Sequence, residues 1–112
     1  MRERTGTCED PIGYRAQALY DLNAAASAFA GLTDGRRTGL FIAVCRMAKY
    51  VSSGHLSEPE IAAAFSDAAR ANGTLQKQGM RWAETTIRSA IARGRNDALP
   101  PLARAFRSEV RA

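Results

Sequence analysis

LFIAVCRMAKYV, residues 40–51, is the most apolar stretch of this 112-residue chain and decides how the rest must be arranged. Its apolar side chains fall at Leu40, Phe41, Val44, Met47, Ala48 and Val51, the three-and-four spacing of a helix, with Arg46 and Lys49 together on the opposite side. So few polar positions predict a helix with apolar neighbours around most of its circumference, at the centre of a bundle. The surrounding sequence supplies those neighbours.

Upstream, Asp10-Pro11 is suited to opening a helix, and Ala18, Leu19, Leu22, Ala25, Ala26 and Phe29 form one apolar stripe. The turn TDGRRTG joins it to the central segment. Downstream, Ser57-x-x-Glu60 is a capping box, in which the hydroxyl and the carboxylate satisfy free amides of a first turn, and Pro59 needs no amide there. Ile61, Ala64, Phe65 and Ala68 then face inward until Asn72-Gly73 closes the helix. A fourth helix is expected from about Gln78 to Arg93 with Gly94 as its stop. Met80, Ala83, Ile87, Ala90 and Ile91 form its core face, with Trp82, Thr86, Ser89 and Arg93 opposite and Arg81 and Arg88 along one flank. LARAFRSEVRA, after GRNDALPP, is a candidate short fifth helix with Arg104, Arg107 and Arg111 on one side.

Alanine abundance and the scarcity of β-branched residues point the same way, because alanine is the best helix former and strands favour Val, Ile, Thr and aromatics. The expectation is an all-α, compact four- to five-helix bundle over residues 12–112, preceded by a flexible N-terminal tail over 1–11. A chain of this length can bury a core without staples.

The net charge is +5 and the sequence pI about 9.9, but the charge is uneven. From Ala68 onward nine basic residues face three acids, a balance of +6 that leaves −1 for the first 67 residues. That asymmetry predicts an anionic partner for the C-terminal half, most often nucleic acid. Two clusters carry suitable donors. Arg36, Arg37 and Thr38 precede a helix start, where free amides and the helix dipole attract phosphate. Arg81, Arg88, Arg93 and Arg95, with Thr86 and Ser89, offer backbone-type contacts on the fourth helix, and Trp82 is placed either to stack on a base or to pack into the bundle.

No arrangement of nucleophile and base, paired carboxylates or P-loop is present, so independent catalysis is not expected. Cys8, Cys45 and the single histidine, His55, match no metal motif, and no metal or cofactor is expected. No signal core or bilayer-length apolar run occurs, which makes the cytoplasm the default compartment and a membrane an unexpected partner.

The succession of a long helix, GRRTGLFIAVCRMAKYVSSGHLSEPEIAAAFSDAARANG and TTIRSAIARG resembles the helical domain that follows the catalytic domain in bifunctional primase-polymerases of phages, plasmids and actinobacterial mobile elements. The resemblance covers about residues 14–95. Gly35, Arg36 and Arg37 match that family's Gly-Arg element, and Thr86, Ile87, Ser89 and Gly94 its Thr-Ile-x-Ser helix. It implies an accessory domain of a DNA primase or polymerase that engages single-stranded or duplex template DNA, with nucleotide and a primase or helicase domain as further partners. Two alternatives stand beside it: a helix-turn-helix regulator, and a protein interaction module whose Trp82 face meets another domain.

Overall fold

The computed structural model describes residues 10–107, which form an all-α globule with no strand among the described residues. The elements are α1 (Pro11–Ala30), α2 (Arg36–Met47), α3 (Lys49–Ser52), α4 (Glu58–Ala71), α5 (Thr74–Gln78) and α6 (Met80–Gly94), followed by a single 3-10 turn at Arg104–Phe106. The expected tail falls largely on residues 1–9, which lie outside the described residues; Pro11 already belongs to α1.

Local chemistry explains the starts. The Asp10 carboxylate accepts the Gly13 amide at 2.9 Å, with Pro11 in the first turn of α1. At α4, Ser57 Oγ accepts the Glu60 amide at 3.2 Å while the Glu60 carboxylate accepts the Ser57 amide at 2.9 Å, the reciprocal pair expected from the sequence. α2 starts at Arg36, four residues before the apolar run, because Gly35 at φ +65° turns the chain into it.

The central segment packs as its pattern predicts: α2 lies against α1, α4 and α6, and Leu40 and Val44 are fully buried, with Met47 nearly so. It is not one continuous helix. The Ala48 amide is shared between the Val44 and Cys45 carbonyls, at 3.0 and 3.3 Å, and the chain restarts as α3. That restart carries Tyr50 into the core, where it is 1% exposed and belongs to the same buried cluster as Phe29, Phe65, Leu40 and Ile61.

Three sequence expectations are corrected. Residues 74–78, expected to be connection, form α5, and Gly79 at φ +94° separates it from α6. Met80, placed on the core face by periodicity, is 47% exposed, because it opens α6 beyond the end of the packed stripe Ala83, Ile87, Ala90 and Ile91. The fifth helix does not form over residues 102–107. Pro100 and Pro101 donate no amide, and the chain runs extended across α1 to the 3-10 turn. Arg111 and the remainder of that expected helix lie outside the described residues.

Candidate nucleic-acid interface

Arg36, Arg37 and Thr38, expected as a turn before α2, form its first turn, with only Gly35 outside it. Asn72 ties together the corner at which α2 begins. Its side-chain nitrogen donates to the Phe29 carbonyl at the end of α1 (2.8 Å), and its side-chain oxygen accepts from the amide and hydroxyl of Thr74 at the start of α5 (3.0 and 2.6 Å). Its backbone carbonyl accepts a guanidinium N–H of Arg36 at the start of α2. Arg36 is therefore a half-buried strut between α2 and the end of α4.

This corner frames an open cavity of about 300 Å³ lined by residues 33–38 and by Thr74, Lys77 and Gln78 of α5. Arg37, Thr38 and Lys77 are exposed, and no side chain caps the start of α2. Backbone N–H groups of a first helical turn have no intrahelical acceptor, so the cavity combines free amide dipoles with two cationic side chains. Asp34 lines the same wall and offsets part of that positive potential. Lys77 was not singled out by sequence reasoning, since nothing in its neighbourhood shows that α5 folds back onto the GRRT turn.

The remaining expected residues lie on α6. Arg81, Arg88, Ser89 and Arg93 are exposed, and Arg81 and Arg88 share one line of the helix, with Arg93 turned about 140° from Arg88 at 100° per residue. Arg88 borders a groove of about 370 Å³ between α4 and α6 that also contains Glu58 and Glu84. Arg95 is exposed but paired with Glu58 at 3.5 Å, while its carbonyl accepts the Ser52 hydroxyl at 2.5 Å. Trp82 and Thr86 are half-buried, and Trp82 packs against the core instead of standing opposite it. A 100° wheel treats the core as one direction, whereas α6 has α2, α4 and α5 as neighbours on several sides.

α6 lies along α2 in the same direction. Gln78, two residues before α6, lines the cavity at the start of α2, and Gly94 at the far end of α6 abuts Cys45 near the end of α2. The structure thus brings Arg37, Thr38 and Lys77 to one corner, with the α6 arginines running away from it along the paired helices. It does not gather them into a single pocket.

The ion pairs divide the surface. All three among the described residues use an acid of α4: Arg15–Glu60 at 2.5 Å, Arg70–Asp67 at 3.1 Å and Arg95–Glu58 at 3.5 Å. The Glu60 carboxyl is pulled down to about 2 by its hydrogen bonds with Arg15 and the Ser57 amide. Arg37, Lys77, Arg81, Arg88 and Arg93 make no ion pair with a described acid.

Among the described residues no three His, Cys, Asp or Glu side chains are grouped to hold a metal, and no helix is long and apolar enough to cross a membrane. No protein-family model, curated protein or solved structure matches this chain.

Proposed function

We propose that this domain binds the sugar-phosphate backbone of nucleic acid, as an accessory part of a replication or priming protein. The observation that carries the binding is the division of charge: α4 neutralises Arg15, Arg70 and Arg95, whereas Arg37, Lys77, Arg81, Arg88 and Arg93 stay exposed without an acid partner among the described residues. Arg81 and Arg88, on one line of α6, are separated by an axial rise of about 10 Å, while Arg93 faces another side of the helix, so a strand contacting all three would wrap around it. Contacts of this kind position a backbone and carry no sequence information. The cavity at the start of α2 is the place where a phosphate, in a strand or in a nucleotide, is best served by Arg37, Thr38 and Lys77.

The replication context rests on the sequence resemblance over residues 14–95. A helix-turn-helix reading has less support: α5, the element after the turn that follows α4, has five residues, too few for a recognition helix.

The test is a titration with single-stranded and duplex DNA at two salt concentrations, with and without nucleotide. Binding to all sequences alike is expected, with a log-log salt slope of about −0.7 per neutralised phosphate on a single strand and about −0.9 on a duplex. Salt-insensitive affinity, or no binding at low salt, overturns the reading.

A further inference from the structure

The extended segment after α6 crosses the outer face of α1 through contacts that read its backbone. Tyr14 Oη donates to the Pro100 carbonyl at 3.0 Å. Gln17, 4% exposed, uses both ends of its amide: its nitrogen, also near Tyr50 Oη at 3.3 Å, reaches the Pro101 carbonyl at 3.4 Å, and its oxygen accepts the Ala103 amide at 2.7 Å. The Phe106 ring lies 5.4 Å from that of Tyr20. Gly13 leaves room for the Phe106 carbonyl, since a side chain there would place its Cβ 2.3 Å from that oxygen. Ala103, at φ −67° and ψ 146°, has polyproline II geometry and ends the extended run, after which Arg104–Phe106 form the 3-10 turn.

We propose that this face of α1 is a docking groove for an extended, proline-containing segment of another protein, and that residues 99–107 occupy it in cis as a displaceable strap. The groove's chemistry selects that occupant. A docking helix would keep its carbonyls in internal hydrogen bonds, and a strand would need a row of backbone amides and carbonyls on an exposed edge, which α1 lacks. Side-chain donors aimed at the two consecutive proline carbonyls and one acceptor for an amide two residues later suit an extended, proline-containing chain, whose backbone groups are free, and the Tyr20 ring meets an aromatic in the 3-10 turn that follows it.

The strap is built to leave. No strap residue is among the fully buried core residues; Leu99 packs against that core, and Leu99, Leu102 and Phe106 are only half-buried. No ion pair among the described residues fastens residues 99–107, and Asn96, Asp97 and Ala98, which join them to α6, are exposed. Segments with few buried contacts open locally at low cost. The groove lies in the first half of α1, about 20 Å along that helix from the GRRT turn, so a peptide there leaves the proposed nucleic-acid face open.

The test uses the full chain and a labelled peptide of sequence ALPPLARAFR, corresponding to residues 98–107, with binding read by fluorescence anisotropy. Because the strap occupies the groove in cis, the parent binds weakly. A chain carrying Pro101→Gly and Phe106→Ala frees the groove and binds the peptide about tenfold or more tightly. On that background Tyr14→Phe and Gln17→Leu each reduce affinity severalfold, with the helical circular dichroism retained, and a peptide with both prolines replaced by alanine binds about tenfold less well. The proposal is overturned if the strap-weakened chain fails to bind the peptide or unfolds, which would make the strap an integral layer. It is also overturned if binding ignores Tyr14→Phe and Gln17→Leu, or if the alanine peptide binds equally.

Discussion

Gly94 of α6 lies directly against the backbone of Cys45 in α2: a Cβ at position 94 would stand 2.1 Å from the Cys45 carbonyl oxygen and 2.9 Å from its carbonyl carbon. The glycine ends the helix in sequence, but its physical role is to let two buried helices touch backbone to backbone.

Gly94→Ala is therefore destabilising even though alanine is favoured over glycine in a helix by about 1 kcal/mol. Overpacking against backbone, which cannot rotate away, costs about 3 kcal/mol, leaving a net loss of about 2 kcal/mol. Gly39→Ala is the control. Its added methyl meets the tip of the Leu32 side chain at 2.6 Å, and Leu32 is 37% exposed and free to swing aside. Urea unfolding of both variants should show a large fall in midpoint for Gly94→Ala and little change, or a gain, for Gly39→Ala.

The Arg15–Glu60 pair makes the fold acid-sensitive in a defined window. The Glu60 carboxyl titrates at about 2 in the folded protein against an ordinary value near 4.5. Its contribution is complete above the unfolded value and is lost as pH falls from about 4.5 through about 2. Thermal unfolding at pH 5 and pH 2.5 should show a larger drop for the parent than for Arg15→Ala. Carboxyl NMR that finds Glu60 titrating at its ordinary value would remove the basis for this.

His55 produces a second step at higher pH. It is 8% exposed and stacked on Tyr14 with ring centroids 5.2 Å apart, and burial, aided by the positive charge of Arg15, pushes its pKa below 6.5. The unfolded chain takes up the proton first, so stability is complete above pH 6.5 and declines as pH falls through the lower folded value. Urea midpoints measured at pH 7.5 and pH 5.5 should differ for the parent and converge for His55→Phe, which keeps a ring against Tyr14. An unchanged difference in His55→Phe would assign the effect to other groups.

What the sequence made legible was the part governed by local rules. The Ser57–Glu60 capping box, the buried run Leu40, Val44 and Met47, and the Ala83, Ile87, Ala90 and Ile91 stripe depend on spacing and hydrogen-bonding chemistry within a few residues. α5 was hidden because its start is set by Asn72, whose side chain also reaches the Phe29 carbonyl 43 residues away. Residues 102–107 read as part of a candidate helix because nothing local announces that Tyr14 and Gln17, 86 residues upstream of Pro100 and Ala103, take the backbone bonds of the segment. In the candidate site, exposure of Arg81, Arg88 and Arg93 followed from periodicity, while the capture of Arg36 by Asn72, the pairing of Arg95 with Glu58 and the arrival of Lys77 beside Arg37 are tertiary events.

Stability and binding separate on α6. Trp82 is half-buried against the core, so Trp82→Ala should cost about 2 kcal/mol, less than the 3 to 5 kcal/mol typical of a fully buried aromatic. Arg93→Ala and Lys77→Ala remove exposed, unpaired charges and should leave the unfolding midpoint in place. If each contacts a phosphate, each lowers DNA affinity for all sequences alike and reduces the salt slope by about one unit. Arg88 borders a groove with Glu58 and Glu84, whose charges already offset it, so Arg88→Ala should weaken binding less than Arg93→Ala. Replacing Glu84 with Gln should then strengthen binding, because it removes an exposed carboxylate from the same helix. Fluorescence titration of the five variants at two salt concentrations, beside their unfolding midpoints, tests the set. Arginine and lysine variants that bind as well as the parent, with Trp82→Ala alone impaired through loss of fold, would make the cationic surface a matter of solubility and would end the nucleic-acid reading.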